Sequence, residues 1–562
     1  MLNKSGACTL DTLKTILGDI SHHCKTLMER KEFGVGFQLL SNIKNTMSDR
    51  ASTEKHFNEL LQDYRNTILP NIVDNYDNLT EDEQTICGQM NNFFCGLHLL
   101  VGIADVTEAS IKSFESNFLD GKDIGSACNA HLKKYHKSES GCLRLLRTSS
   151  KCFAKGDDEI NGVYLPWRTY LTEKGEKNFI LRLKHNRFNM VFLMGQAVYY
   201  HYESIYDFFK NVHGAKNDLH KAVLLDCQEK LYLAGTKALG LISKFITSPL
   251  WRLIEQPAHI LDMNNHISIL LNIIDIAGAD SESSIKFMAG EKIPFDEPLD
   301  DSNKVVRKLI QPNEEIDEIC LPLLQAIFVA LSQLLRRMVS EHLPGGIFYD
   351  PSEQLKQQTS SALKHNKLPE FIFAQLDHLV SYRPNASVLA NEAYIMYSFN
   401  KTSLGLQNLP AHERNLYLEQ SRKDGKLIRE KFKKRLKAIE IQRLEEQKKK
   451  QLENERHERL RIEKAENLTK DICYYGLWQT HQQVDEAIAS YNVNKTEIIK
   501  ALQCQLKFRR DVLKQVHSNK KVYNFSMKMA SGKYKKLSLD EMKTNLLSLV
   551  KTALDVPTEE KQ

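Results

Sequence analysis

Cys95 and His98 are the residues of this sequence whose types and spacing most directly suggest chemistry. They lie three positions apart in NFFCGLHLLVGIAD, residues 92–105. Cysteine and histidine at such a spacing can ligate a metal, and a histidine can also activate a thiol for nucleophilic attack. A structural interpretation is that Cys95, His98, Leu99 and Gly102 share one stripe of a helix. The pattern therefore allows a zinc half-site, a catalytic dyad or a packed helix.

The rest of the sequence favours the structural interpretation. Tetrahedral zinc needs four ligands, or three and a water, and the further candidates Cys87, His22 and His23 have no familiar spacing. The eleven cysteines form no CxxC pair. The sequence also has no GxxxxGKS/T phosphate loop and no GxSxG elbow, the usual signals of nucleotide and serine hydrolases. We expect Cys95 and His98 to be packed, with no metal site.

Length and composition are those of an ordinary multidomain protein. The chain has 562 residues, of which 42% are hydrophobic and 26% are charged, and this length predicts two to four domains. The scattered cysteines and a start without the apolar region of a signal peptide predict free thiols in a reducing compartment. No uncharged apolar run reaches about eighteen residues, so we predict no membrane span.

The positive charge of the chain is concentrated in one segment. Residues 421–466 contain 17 Lys and Arg against 10 Asp and Glu, an excess of 7 in a chain whose net charge is +6. From about Ala411 we predict one long charged helix, stabilised by Glu–Lys and Glu–Arg pairs four residues apart. Its apolar residues thin out, so at most its first half could form a weak coiled-coil dimer. The run KFKKRLK, residues 431–437, fits a solvated face, a nuclear-import cluster or a phosphate contact.

Most of the remaining sequence predicts helices. Helical spacing of apolar residues is seen in residues 9–27, 48–69, 185–275 and 318–343. FQLLSNI, residues 37–43, is the predicted strand. Residues 120–180 are rich in Gly, Ser and Lys and are predicted to contain loops.

Residues 40–105 resemble, in order, part of the hAT family of DNA transposases. An apolar strand is followed by MSDRAS, a helix and CGLHLL. The resemblance implies that Asp49 is the second acidic residue of the family's Asp–Asp–Glu set. It also implies that Cys95 and His98 are the family's CxxH element, which is mainly structural. From the residues alone, Asp49 could instead cap the helix that follows it.

A second segment resembles the family's T-R-W-N-S motif and the long helix after it. This segment is HNRFNMVFLMGQAVYYHYESIYDFF, residues 185–209. Phe188 stands where the family has tryptophan, next to Arg187. The resemblance implies that these two residues contact nucleic acid, with the aromatic ring stacked on a flipped base. From the residues alone, Phe188 could instead be a residue of the hydrophobic core.

A third segment, residues 368–402, resembles the family's C-terminal signature. Glu370 matches the third acidic residue of the Asp–Asp–Glu set. Phe373, Arg383 and Asn400 match an aromatic residue, a turn arginine and a terminal asparagine. Glu370 could also be a solvated residue in the first turn of a helix, where an acid is favourable.

The first aspartate of the family's set is not found. The upstream acids Asp11, Asp19, Glu29 and Glu32 lie in helix or loop patterns. Phosphodiester cleavage in a ribonuclease-H-like core uses two Mg²⁺ ions about 3.5–4 Å apart, which carboxylates must fix. We therefore expect Asp49 and Glu370 to be remnants of a catalytic set in an inactive chain. No cofactor is expected, and Mg²⁺ would bind only if the set were completed.

The resemblance implies a mainly α fold that contains a reduced ribonuclease-H-like α/β remnant. The predicted parts are a partial core (1–110), a helical insertion (111–345), a C-terminal core and dimerisation-like segment (346–408), a long charged helix (409–470) and a C-terminal helical module (471–562). In the last part the basic run 507–521 makes Lys507, Arg509 and Arg510 candidate nucleic-acid contacts.

The predicted function is that of a transposase-derived, catalytically inactive protein that binds nucleic acid or associates with itself. DNA and a second copy of the chain are the expected partners, and neither a membrane nor a small-molecule substrate is expected. The expected location is the nucleus, otherwise the cytoplasm. Two alternatives remain: a helical scaffold without a nucleic-acid role, and a fragment of an active hAT-like transposase.

Overall fold

A computed structural model describes residues 5–24, 34–183, 189–295, 303–491, 494–517, 519–528 and 534–551. Within these ranges the protein is mainly helical with four short strands, which confirms the predicted mainly α class. The chain divides into two compact units, one ending at Asn408 and the other beginning at Leu409. Arg187 and Phe188, two of the predicted nucleic-acid contacts, lie outside the described residues.

The first unit begins with helices around two parallel strands. In chain order these are α1 (Gly6–Cys24), α2 (Val35–Asn42), β1 (Asn45–Ser48), α3 (Ser52–Ile72), α4 (Glu81–Gly88), β2 (Asn91–Phe94) and α5 (Gly96–Leu119). β1 pairs with β2 in register, Asn45 opposite Asn91 and Ser48 opposite Phe94. Since parallel strands need a crossover connection, α3 and α4 form the link between them.

The strand predicted for FQLLSNI is wrong, because these residues belong to α2 and the strand is the next tetrapeptide, NTMS. Gly36 and Leu40, four positions apart, are the buried residues of α2. A Cβ at Gly36 would lie 2.0 Å from the Leu17 carbonyl oxygen, so glycine permits α2 to pack closely on α1. The apolar run thus serves helix packing rather than a sheet.

A large helical region follows α5. Its helices are α6 (Gly141–Phe153), α7 (Tyr164–Glu173), α8 (Asn189–Asp207), α9 (Asp218–Asp226), α10 (Lys230–Ile242), α11 (Ser248–Glu255), α12 (Met263–Ala279), α13 (Ser281–Met288), α14 (Lys304–Ile310), α15 (Glu314–Met338) and α16 (Glu353–Thr359). Helices α6 to α15 share one apolar core with α5, in which nearly every residue of α10 is buried. This burial explains why α10 is apolar on all sides.

The prediction of loops for residues 120–180 is correct only in part, because α6 and α7 lie there. The two arginines that interrupt the apolar residues of α6, Arg144 and Arg147, are buried and paired with acids. Arg144 donates to both oxygens of Asp226, at 2.8 and 2.9 Å. A buried ion pair of this kind puts charged residues at buried positions, where the sequence pattern of a helix would predict apolar ones.

Helix α15 is long and apolar enough to cross a membrane, by length and composition only. Its residues Leu323, Leu324, Ile327 and Phe328 are buried in the core that α5, α10 and α12 share. A single helix of this kind is weak evidence for a membrane span, and burial in a protein core accounts for its composition. No membrane protein is indicated.

The first unit ends with α17 (Lys367–Tyr382), α18 (Val388–Phe399) and α19 (Thr402–Gln407). α17 packs on α18 and α18 on α19. Their buried residues are few: Leu379 in α17, and Asn391 and Ile395 in α18.

The second unit consists of one long helix and a small module. Helix α20 (Ala411–Tyr475) has 65 residues, of which only Leu468 and Ile472 are buried. At 1.5 Å per residue it is about 100 Å long. The module contains α21 (His481–Ser490), α22 (Lys495–Asp511), the antiparallel strands β3 (Ser526–Lys528) and β4 (Tyr534–Lys536), and α23 (Leu539–Leu547). Its core is built around Trp478, Val484, Leu502, Leu506 and Leu546.

Candidate functional site

Asp49 and Cys95 directly follow the two parallel strands, Asp49 after β1 and Cys95 after β2. Because the strands are neighbours and parallel, their carboxyl ends lie at the same edge. The Cys95 N–H donates to the Ser48 carbonyl oxygen, 2.8 Å away, which continues the ladder beyond the last strand residue. In open α/β sheets this edge is where ligands bind.

Arg65 holds the chain segments that lead into both strands. It is fully buried in α3 and donates to the carbonyl oxygens of Leu40 (2.7 Å) and Ser41 (3.2 Å), which precede β1. It also donates to the carbonyl oxygens of Cys87 (2.7 Å) and Gly88 (2.6 Å), which precede β2. Four hydrogen bonds from one guanidinium join the C-terminal ends of α2 and α4.

Asn366 brings a third element to the strand edge. The Cys95 thiol donates to the Asn366 Oδ1 at 2.9 Å, and the Asn366 N–H donates to the Cys95 sulfur at 3.4 Å. Asn366 immediately precedes α17, whose first turn carries Glu370. We call Asp49, Cys95, His98, Asn366 and Glu370 the edge site.

His98 interacts electrostatically with the other three titratable residues of the edge site. Its hydrogen bond with Cys95 raises the pKa of the His98 imidazole, burial opposes this, and the negative charges of Cys95, Asp49 and Glu370 raise the pKa further. Both predicted acids therefore act on one histidine, although 321 positions separate them in the sequence. His98 Nδ1 is buried and has no nitrogen or oxygen partner among the described residues.

The Cys95 thiol lies inside the protein, with 3% of its residue surface exposed. Burial alone would raise the pKa of this thiol. The hydrogen bond with the His98 side chain and those from the N–H groups of Asn366, His98 and Leu97 outweigh burial and lower the pKa below its usual value. The arrangement is that of a packed, well-bonded cysteine, in agreement with the structural interpretation of the CxxH spacing.

Asp49 and Glu370 both expose their side chains to solvent. An Asp49 oxygen accepts a hydrogen bond from the Ala51 N–H at 2.9 Å. The residue that directly precedes α3 is Ala51, so Asp49 is not the capping residue of that helix. Arg50, between them, has a φ of 69°, a conformation that turns the chain sharply after β1.

Arg50, which was not predicted from the sequence as a site residue, follows Asp49 at the carboxyl end of β1. Its guanidinium is 4.5 Å from the centre of the Phe94 ring and 3.3 Å from a Glu341 oxygen. The cation therefore neutralises Glu341 and packs on the last residue of β2. No sequence motif identifies Arg50, because its partners Phe94 and Glu341 are distant in the sequence and only the fold brings them to it.

The donor set at the edge site does not fit a two-metal centre. Two carboxylates are present, whereas two Mg²⁺ ions need three or more oxygen-bearing side chains to fix their spacing. Within the described ranges no group of three or more His, Cys, Asp or Glu side chains could hold a metal ion.

The other predicted contacts lie on α22 of the second unit. Lys507 and Arg510 are exposed, and their charged ends are 5.5 and 5.9 Å from the centre of the Phe525 ring. Arg509 is buried and donates to the Trp478 carbonyl oxygen and to Gln515. The assignment of Arg509 to a nucleic-acid surface is therefore corrected, because its guanidinium binds the backbone of the module core.

Comparison with known proteins adds no relative: no family model matches the chain, and neither a curated protein nor a solved structure is significantly similar to it.

Proposed function

We propose that this chain is a transposase-derived protein that has retained nucleic-acid binding and lost strand cleavage. The observation that carries the proposal is that the charges of Asp49, Cys95 and Glu370 all act on His98, while Asn366 joins Cys95 to the start of α17. The hAT resemblance implies an acid after one strand, a CxxH element after the next, and a second acid on a helix that follows a long insertion. The order and proximity of these residues support that reading.

The reduced ribonuclease-H-like core is part of the proposal. β1 and β2 are adjacent and parallel, with helices α3 and α4 in the connection, and α17 joins them at the carboxyl edge. The helices from α6 to α15 lie between these parts in sequence, as an insertion would.

Loss of cleavage follows from the donor set. With Asp49 and Glu370 as the only carboxylates assigned to the set, the spacing of two ions cannot be fixed. The exposed carboxylates then repel a phosphate backbone that approaches the strand edge. A protein that still binds DNA there should bind it better when these charges are removed.

The test is duplex DNA binding by the double variant Asp49→Asn/Glu370→Gln, measured by fluorescence anisotropy over a series of salt concentrations. We expect affinity to rise about three- to tenfold at low salt and to fall steeply with salt for every form of the protein. The matched control is Asp63→Asn/Glu392→Gln, which removes two exposed carboxylates from α3 and α18. It should leave affinity within about twofold of the parent.

Absence of duplex binding at low salt would favour the scaffold alternative. Nicking or joining of an oligonucleotide on addition of Mg²⁺, lost in Asp49→Asn, would show that cleavage has been retained. An equal gain in affinity in the control variant would remove the edge site from the DNA-binding surface.

Self-association is a second candidate function, supported by a different observation. The helices α17 to α19 expose many large apolar side chains: Leu368, Phe371, Phe373, Val380, Tyr382, Val388, Tyr394, Met396, Tyr397 and Leu404. Such a concentration on one segment is typical of a protein interface. We propose a second copy of the chain as the partner, in a homodimer.

Sedimentation velocity tests this candidate. Phe373→Glu, at a side chain that is 69% exposed, should shift a dimer towards monomer. Ile160→Glu, at an apolar residue that is 93% exposed elsewhere in the first unit, is the control and should not. A parent protein that is monomeric at high concentration would exclude self-association.

A further inference from the structure

The most basic part of the chain is not the long helix but a stretch of the C-terminal module. Residues 505–536 contain 10 Lys and Arg and a single acid, Asp511. The excess of 9 over 32 residues exceeds that of residues 421–466, where alternating acids dilute the field. A field of one sign attracts a polyanion more strongly than a mixed one.

The structure exposes much of this charge. Lys507, Lys520 and Lys521 are exposed near the C-terminal end of α22 and beyond it, and Lys535 and Lys536 are exposed on β4. Asp511, the single acid, is already paired with Arg510 at 2.7 and 2.8 Å. The Asp511 charge also acts on Lys507, whereas Lys520, Lys521, Lys535 and Lys536 lie nine or more positions away from it in the sequence.

Register gives the β3–β4 hairpin two different faces. Ser526 is opposite Lys536, and Phe525 accepts a backbone hydrogen bond from Leu537 one position beyond. Phe525 and Leu537 pack against the module core. Because side chains alternate along a strand, Tyr534 and Lys536 belong to the opposite face.

Tyr534 is an exposed aromatic residue on a charged surface. Its side chain is 72% exposed, and it makes no ring contact or hydrogen bond with another described residue. An exposed tyrosine ring can stack on nucleic-acid bases, since each base has a π face. On the side towards α22, the Phe525 ring is covered by Lys507 and Arg510.

We infer that the basic surface of the module, which includes Lys520, Lys521, Tyr534 and Lys536, binds single-stranded nucleic acid. Lysines contact the phosphates, and Tyr534 stacks on an unpaired base. In a duplex the bases are already stacked and offer no face to the ring. The inference shares with the proposed function only the class of partner, because it concerns a different unit and a different form of nucleic acid.

The test uses the full chain and three probes: a labelled oligothymidine of about 20 nucleotides, a duplex of equal length, and phosphatidylserine vesicles. We expect binding to the single strand to be at least fivefold tighter than to the duplex. Tyr534→Ala should weaken single-strand binding about five- to tenfold without changing its dependence on salt. The control is Tyr474→Ala, at a tyrosine of α20 that is 78% exposed, which should change affinity less than twofold.

A charge variant separates the phosphate contacts from stacking. Lys520→Gln/Lys521→Gln should reduce the slope of log affinity against log salt by about 1.4, since each phosphate contact on a single strand contributes about 0.7. Lys448→Gln/Lys449→Gln removes the same charge from α20 and should leave the slope unchanged. All four positions are exposed, and a thermal melt checks that each variant is folded.

The inference is overturned by equal affinity for duplex and single strand, by Tyr534→Ala and Tyr474→Ala having equal effects, or by preferential binding to the vesicles. Failure here and failure of the proposed function are distinguishable. Duplex binding that responds to Asp49→Asn/Glu370→Gln, together with single-strand binding that does not respond to Tyr534→Ala, retains the proposed function and removes this inference. The opposite pattern retains this inference alone.

Discussion

The Cys95 thiol and the Asn366 side chain are hydrogen-bonded at 2.9 Å although 271 positions separate them in the sequence. The Gly96 N–H also donates to the Lys364 carbonyl oxygen, at 2.9 Å. These contacts join the end of β2 to the segment that leads into α17. The helical region between β2 and α17 therefore begins and ends at the same strand edge. This arrangement places Glu370 near His98.

Removing the Asn366 side chain should loosen this junction. Asn366→Ala deletes the acceptor of the Cys95 thiol, and we expect the free energy of unfolding to fall by about 1 kcal/mol. Urea denaturation measures that loss. The rate at which Cys95 reacts with a thiol reagent in the folded protein should rise, because α17 then protects the sulfur less well.

Asn408→Ala is the matched control, since Asn408 is exposed at the end of α19. It should change neither stability nor thiol reactivity. Because other cysteines are present, the modified residue must be identified by mass spectrometry. An unchanged rate at Cys95 in Asn366→Ala would show that α17 is held at the strand edge by other contacts.

Glu115 gives the protein a pH dependence of unusual sign. Burial raises the pKa of this carboxyl to about 7, against the hydrogen bonds that it accepts from the N–H groups of Cys142 and Gly141. Between pH 4.5 and 7 the folded state therefore holds a proton that the unfolded state has lost. Its contribution to stability falls as pH rises, by up to about 3 kcal/mol.

The measurement is the difference in free energy of unfolding between the parent and Glu115→Gln at pH 5, 6, 7 and 8. The difference should favour the parent most at pH 5 and decrease steadily up to pH 8. Taking a difference removes the titration of every other group. A difference that is constant over this range would mean that Glu115 ionises in the folded protein as it does in solution.

His342 should produce the opposite trend in acid. Burial, with a smaller contribution from the nearby Arg50 charge, lowers the pKa of His342 to about 4. The unfolded chain takes up this proton near pH 6.5, so the stabilisation is complete above that pH and is lost as pH falls towards 4. His342→Gln should reduce the loss of stability between pH 6.5 and 4, whereas His412→Gln, in the solvated α20, should not.

Four residues of the edge site were predicted from the sequence: Asp49, Cys95, His98 and Glu370. Asp49 and Glu370 were named from the order of motifs in the hAT resemblance, and Cys95 from its spacing to His98. Arg65 and Asn366 were missed. Their partners are backbone carbonyls and a thiol more than 20 positions away, and no local spacing encodes contacts of that kind.

The same limit explains the errors in secondary structure. FQLLSNI has the composition of a buried strand, and only its packing against α1 through Gly36 decides for a helix. In α6 the buried Arg144, paired with Asp226, makes the sequence as polar as that of a loop. Short apolar runs and buried ion pairs are cases in which tertiary structure overrides the pattern.

Arg509 and Arg510 are neighbours in the sequence with opposite environments, and their variants should separate stability from binding. Arg509 is buried and donates to the Trp478 carbonyl oxygen, so Arg509→Ala leaves that acceptor without its partner. We expect a loss of about 2 kcal/mol in the free energy of unfolding, measured with urea. Arg510 is exposed and paired with Asp511, so Arg510→Ala should cost less than about 0.5 kcal/mol.

Nucleic-acid binding should show the reverse order. Arg510→Ala removes a surface cation beside Phe525 and should weaken single-strand binding at low salt about two- to threefold. Arg509→Ala should bind normally at temperatures where it remains folded. A strong binding defect in folded Arg509→Ala, with none in Arg510→Ala, would require a conformation in which α22 presents its buried arginine to the ligand, and it would return Arg509 to the predicted contact surface.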